Sequence, residues 1–403
     1  MNRRRGVLDD QRAPATIAMA GLVALAVGMG IGRFAFTPIL PMMQHDHAMS
    51  VVAAGWLASA NYLGYLLGAA SLSILAWRVR PVVGIRSGLL AIAATTLGMG
   101  ISQGFAAWVV LRGLAGVGSA AVLVFTSAWC LERLAHTRRP LLNGVVFAGV
   151  GVGITVAGVI CLVLMRFRAS AVQAWLTLGA LSLIAMTAIW PLFDTVEAAA
   201  PHQKPRAPAS WRWTADHVRL VICYGAFGFG YIIPSTFLPA MARQVIRDPI
   251  VFGWAWPLFG AAAGISTVIS ARAARSVGLR RLFCLSQVVM AFGVALPVWL
   301  PGIGGIMTSA LLVGGTFMVI TSTGMQEARA TAGLGAVPLM AAMTTAFAAG
   351  QIAGPLCVSY LVRTATTFSG PLLLASITLL ASAAALALSL GSIQRDPVTS
   401  PPA

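Results

Sequence analysis

Charge is scarce in this chain: 9% of its 403 residues are Asp, Glu, Lys or Arg and 58% are hydrophobic, where a soluble domain carries roughly 25% charged residues. So few charges cannot clothe a water-facing surface, and a soluble globular protein is excluded. Acidic residues are the rarest, ten against 27 Lys and Arg. All ten, Asp9, Asp10, Asp46, Glu132, Asp194, Glu197, Asp216, Asp248, Glu327 and Asp396, fall at the ends of apolar runs, in loops or in tails. Cysteine is limited to Cys130, Cys161, Cys223, Cys284 and Cys357, with no CxxC pair; this removes a disulfide scaffold and leaves small apolar packing residues. No GxxxxGK[ST] occurs, so ATP-driven pumping by this chain alone is not expected. His, Cys and carboxylates nowhere converge at one depth, which argues against an enzyme. His45, Asp46 and His47 have metal-ligand chemistry, but adjacent residues cannot all face one ion without a strained loop. They read as a solvated outer loop, and no metal or other cofactor is expected.

Apolar length takes the place of charge. Runs long enough to cross a bilayer, about 20 residues, recur at 15–43, 50–76, 83–102, 106–131, 141–165, 171–193, 217–241, 251–271, 282–300, 303–325, 338–362 and 369–391. The 42 Gly and 21 Pro among them suit membrane helices, where neighbouring helices re-satisfy freed backbone groups. The first run is too long for a cleaved signal and reads as a retained helix. One long polar stretch, with Pro201, Pro205 and Pro208, divides the spans six and six. The expected organisation is an N-terminal six-helix bundle over 1–193, a cytoplasmic linker over 194–216 and a C-terminal six-helix bundle over 217–403. With the N-terminus in the cytoplasm, 20 Lys and Arg fall on that side and 5 on the other, so the positive-inside rule predicts an inner-membrane protein with both termini cytoplasmic. His136, His202 and His217 then lie in cytoplasmic segments, and no histidine is placed for a proton relay within the membrane. The net charge of +17 sits in short loops rather than in one stripe with aromatics, so no nucleic-acid partner is expected.

The two halves repeat. Gly30 to Met43 aligns without gaps with Gly228 to Met241, an offset of 198 that matches Gly30, Gly32, Leu40, Pro41 and Met43 to identical residues and Thr37 to Ser235. It also pairs Gly55 and Trp56 with Gly253 and Trp254. At an offset of 195, Val124, Thr126, Ser127 and Glu132 meet Val319, Thr321, Ser322 and Glu327. Halves that start on the same side after an even number of spans are parallel repeats about an axis along the membrane normal.

The motifs resemble those of the major facilitator superfamily over essentially the whole length. RGLAGVGSA from Arg112 to Ala120 is similar to the fourth-helix motif RxxQGxG, with Ala115 where Gln is usual. The fifth-helix glycines Gly149, Gly151, Gly153 and Gly158 resemble the antiporter-associated motif without its Gly-Pro step. RVRPVVGIR from Arg78 is a degraded loop motif that lacks its acidic residue. GMGIGRFAFTPILP from Gly28 to Pro41 resembles the YbfB/YjiJ-type branch. The resemblance implies an all-α membrane fold of twelve transmembrane helices in two pseudo-symmetric six-helix bundles, rocking around a central site. It also implies that Glu132 and Glu327 latch to loop arginines, Arg78 and Arg80 in one half and Arg272 and Arg275 in the other.

Two arginines lie inside apolar runs. Arg33 is about 17 residues into the first, some 25 Å along a helix, and Arg112 is at comparable depth in the fourth. A charge there costs roughly 2.5 to 3.5 kcal/mol on insertion scales, and no carboxylate is at hand to offset it. Either the guanidinium groups grip an anionic substrate, for which a planar fork is suited, or they bond main-chain carbonyls to organise the bundle. Helical spacing puts Thr37 on the face of Arg33, and Ser119 and Thr126 on that of Arg112. Tyr224, Tyr231 and Ser235 share a face in the second half, with Tyr231 at the position equivalent to Arg33. Gln351 and Thr344, and Asn61 and Tyr65, are further polar candidates. Gly28 and Gly32, with Gly149 and Gly153, offer close packing and sliding surfaces, and Pro38, Pro41, Pro234 and Pro239 offer bends. The function expected is secondary active transport of a small anionic organic solute by alternating access. Efflux of hydrophobic or cationic drugs, and a transporter-like sensor or scaffold, are the alternatives. The expected partners are the small-molecule substrate, a coupling proton or counter-anion, and the lipid bilayer, with the protein acting as a monomer.

Overall fold

The computed structural model describes residues 2–47, 49–75, 78–137, 139–198, 212–245, 253–364 and 369–393. The helices are α1 (Asn2–Leu25), α2 (Phe36–His47), α3 (Val51–Leu75), α4 (Pro81–Ile101), α5 (Phe105–Leu134), α6 (Pro140–Arg166), α7 (Ala171–Ala198), α8 (Ala215–Val245), α9 (Ala255–Val277), α10 (Leu279–Trp299), α11 (Ile303–Ala332), α12 (Ala336–Thr364) and α13 (Ser369–Ile393). A π-helical turn, Ala26–Ile31, joins α1 toward α2. Taking α1, the π turn and α2 as one interrupted rod, the described residues hold twelve rods, one for each apolar run. Among the described residues nine stretches are long and apolar enough to cross a membrane, and one of them, 303–358, takes in α11 and most of α12. Large apolar side chains such as Leu67, Ile74, Ile184, Ile222 and Ile265 stand exposed on the outside, the arrangement of a protein whose surface meets lipid.

Local chemistry sets the helix limits. Pro81 and Pro140 open α4 and α6, where a missing N–H costs nothing and the fixed φ is already helical. Gly278, at φ 85°, turns the chain between α9 and α10 in a single residue. The linker expected over 194–216 is shorter than its composition suggests. The helix α7 continues through Ala198 and α8 begins at Ala215, because Asp194 is held against α4 by Arg86 at 2.8 Å and an alanine-rich stretch extends the helix. Residues 199–211, the rest of that linker, lie outside the described residues.

Each half packs within itself, α1 against α5 and α6, α4 against α5 and α7, α8 against α11, α12 and α13, and α10 against α11 and α13. The halves meet mainly through α6 with α9 and α3 with α12. The repeat exchanges α3 with α9 and α6 with α12, so these two contacts are images of one another. At α6 and α9 the backbones nearly touch: a methyl on Gly151 would sit 2.4 Å from the Gly264 nitrogen, one on Gly144 2.6 Å from the Ala271 methyl, and one on Gly158 2.9 Å from the Pro257 ring. These three glycines are seven apart and form one stripe. Gly149 and Gly153, expected as a sliding surface, lie on another face of α6 and pack inside the first half, against the Leu22 and Ala26 carbonyls. Gly28 packs on Val122 and Gly32 on Ile92, also within that half.

Candidate functional site

The site begins with a break in the first rod. In the π turn the Gly32 N–H reaches back five residues to Val27 O at 2.9 Å, and the Phe34 N–H to Met29 O at 3.1 Å. This releases the Gly28 carbonyl, which would otherwise receive Gly32. Four residues beyond Phe34, Pro38 has no N–H to offer, and Thr37 N–H turns to Phe34 O at 3.3 Å, which releases the Arg33 carbonyl. Freed carbonyls in an apolar interior need donors, and α5 supplies them. Ser119 Oγ donates to Gly28 O at 2.7 Å, while Arg112 Nη1 donates to Gly32 O at 3.3 Å and Nη2 to Arg33 O at 3.4 Å. The Arg112 guanidinium also lies 4.8 Å from the Phe36 ring centre. Arg112 and Ser119, expected to meet substrate, therefore serve the opened backbone of the first rod. The seventh rod keeps the equivalent glycines Gly228 and Gly230, yet α8 is continuous. At the offset of 195, Arg112 and Ser119 are replaced by Met307 and Gly314, which have no hydrogen to give.

The break presents Arg33 to the meeting of the halves. It is 3% exposed, its Nη2 donates to Oε1 of Gln351 on α12, and its guanidinium carbon lies 3.8 Å from the Tyr65 ring centre and 5.3 Å from that of Tyr62. Tyr62 and Tyr65 thus stand against this cation, Tyr224 lines a cavity together with Tyr65, and Tyr231 packs on Phe317 of the same lining. Among the described residues Nε and Nη1 of Arg33 have no hydrogen-bond acceptor. The cavity that Tyr65 borders has about the room of one water molecule and is lined by Met29, Tyr65, Leu123, Val150, Tyr224, Phe317, Met318, Thr321 and Phe347. Tyr231 stacks on Phe317 at 4.4 Å between ring centres, and Phe34 of the first half meets Phe317 and Trp256 of the second. Among the described residues the surroundings are aromatic and apolar, with hydroxyls but no carboxylate.

Of the sequence candidates, the structure brings together Arg33, Gln351, Tyr65, Tyr224 and Tyr231, and it separates others. Thr37 is exposed: four residues after Arg33 is the same face only in an unbroken helix, and the break turns it away. Ser235 bonds the Tyr231 carbonyl of its own helix at 2.8 Å, and Thr344 bonds Met340 O at 2.7 Å. Asn61 donates to Arg112 O at 3.0 Å and ties α3 to α5. Thr126 is buried with no partner for its hydroxyl among the described residues. Pro234 lies buried within α8 without a break, and the side chain of Pro239 lies outside the described residues. His45 and Asp46 pair at 3.1 Å, and Asp46 accepts the Ala171 N–H at 2.6 Å, so this carboxylate caps α7 rather than lying free in a loop. Residues not singled out from sequence complete the site, Tyr62, Trp256, Phe317, Thr321 and Phe347; the clustering of scarce tyrosines was the signal for the first.

At the basic end, Glu327 has a different partner from the one expected. Glu327 pairs with Arg280 at 2.7 Å, and Arg280 grips Asp216 with two N–H groups at 2.8 and 2.6 Å. Arg272 and Arg275 stay exposed in the last turns of α9. The one-residue turn at Gly278 explains this, since it sets Arg280 in the first turn of α10, the helix that packs on both α11 and α8. Glu132 is exposed in the last turn of α5, and Arg78 and Arg80 are exposed in the turn before α4. Across the halves at this end, Asn143 donates to Gln326 at 3.2 Å.

With this geometry in view, comparison with known proteins is informative. Residues 25–388 match the family described as the uncharacterised MFS-type transporter YbfB. The uncharacterized MFS-type transporter YceJ of Bacillus subtilis (strain 168) is 33% identical over 94 residues, 23% of this chain and 24% of that relative, so the alignment spans about a quarter of the relative's length. The crystal structure of the human organic anion transporter MFSD10 (TETRAN) shares the fold with a TM-score of 0.66 at 16% identity, covering 93% of this chain and 99% of the other. The match over residues 25–388, together with the shared fold, shows what this chain is: it belongs to the YbfB family of MFS-type membrane transporters.

Proposed function

We propose that the protein is a secondary transporter that moves a small organic anion with an apolar or aromatic body by alternating access between its two halves. It lies in the inner membrane with both termini cytoplasmic and works as a monomer. The observation that carries the reading is Arg33, a buried cation at the junction of the halves with no carboxylate beside it and two N–H groups that lack acceptors among the described residues. Of the buried arginines, Arg112 serves carbonyls and Arg280 serves Asp216 and Glu327, which leaves Arg33 for a solute. Phe317, Phe347 and Trp256 favour an apolar body, and a cation in the site disfavours cationic drugs. The human protein that shares the fold is named for organic anions; the reading here rests on Arg33. The test is thermal stability and proteoliposome uptake with acetate, succinate and benzoate, since a bound ligand raises apparent stability. Stabilisation and uptake by at least one of them, both lost in Arg33→Gln, are expected. A carboxylate handled equally by wild type and Arg33→Gln, or response to none, rejects the reading.

A further inference from the structure

Arg33 belongs to the first half and Gln351 to the second, so their hydrogen bond is where the buried charge meets the opposite bundle. Both are sealed, at 3% and 0% exposure. The Tyr65 ring lies on one face of the guanidinium and the glutamine oxygen accepts at one edge. The amide nitrogen of Gln351 has no partner among the described residues. A glutamine is suited to two tasks here. Its oxygen accepts from a cation, and a half-turn of the amide presents its nitrogen as a donor to an anion.

We infer that Gln351 is a stand-in for the solute: its oxygen meets Arg33 so that the halves close unloaded, and on loading the amide turns to donate to the anion that Arg33 holds. The inference rests on the anion reading of Arg33 and adds the mode of coupling to it. A cation without an acceptor resists enclosure in a low-dielectric interior. A carrier with no stand-in therefore closes only when loaded and is bound to exchange one anion for another. A carrier with one returns unloaded and delivers net transport. Glutamine suits the task better than glutamate, because a fixed negative charge would compete with the solute instead of yielding to it.

The experiment uses the purified full-length protein with two pairs of spin labels, one across α6 and α11 at the basic end and one across α6 and α9 at the other. Pulsed dipolar spectroscopy reads the fraction closed at both ends in carboxylate-free buffer. Gln351→Leu, which keeps bulk but no acceptor, is expected to lower the closed-to-open ratio about tenfold or more, the change that loss of one charged hydrogen bond implies. Arg33→Met combined with Gln351→Leu removes the charge as well and is expected to restore closure. Wild-type closure in Gln351→Leu, or a double variant as open as the single one, overturns the inference. Acetate, succinate and benzoate are then added in turn, and at least one should close Gln351→Leu. If none does while the unloaded pattern holds, the anion reading fails and the tie between the halves survives it.

Discussion

Arg33 and Arg112 are equally buried and of one chemical type, yet their substitution should have opposite effects. Arg112 donates to two carbonyls of a broken backbone, and its loss strands them in an apolar interior. Arg112→Gln is therefore expected to lower unfolding stability in detergent by about 2 to 4 kcal/mol, with or without a ligand. Arg33→Gln removes a charge that has no carboxylate partner among the described residues and should leave stability unchanged or raised. Thermal unfolding of the two variants side by side decides this, and equal losses would show that the two arginines do not divide their work as described. Sequence alone placed both arginines at one depth and could go no further. The distinction depends on the π turn and on Pro38, whose effect on hydrogen-bond register is not written in any periodicity. The same register change removed Thr37 from the site.

At the scale of helices the sequence was far more legible. Apolar runs at 171–193 and 369–391 correspond to α7 and α13, and the repeat offset identified equivalent rods, because lipid forces each crossing into an uninterrupted hydrophobic stretch. Which face of α6 meets which neighbour was not legible, since glycines at 149, 151 and 153 look alike in a string of letters. The two faces give a prediction. Gly149→Ala puts a methyl 2.1 Å from the Leu22 carbonyl inside the first half, and should reduce yield and stability. Gly151→Ala puts one 2.4 Å from the Gly264 nitrogen of the other half, and should preserve each bundle while forcing the two apart. Proteolysis and spin-label distances separate the outcomes; if Gly151→Ala destabilises as much as Gly149→Ala with no change in distance, α6 and α9 do not form a separable interface.

For the whole molecule, the direct bond between Arg33 and Gln351 bears on flux. Proteoliposomes loaded with a carboxylate that the protein carries should release it into anion-free buffer about as fast as into buffer that contains the same anion. Release that requires the external anion would mark an obligate exchanger instead. The ion cluster of Arg280, Asp216 and Glu327 braces the second half at the basic end, whereas Asn143 and Gln326 join the halves there through a neutral bond that separates without leaving a charge behind.

Among the described residues the broken rod occurs once, and so does the arginine it presents. In a tandem protein made from two first halves, a second guanidinium would stand where Tyr231 is now, with no amide oxygen opposite either one. Like charges would then oppose each other across the closing seam, and such a duplicate would gape. The two bundles share a plan but are not interchangeable parts, since one supplies the charge and the other is shaped to receive it.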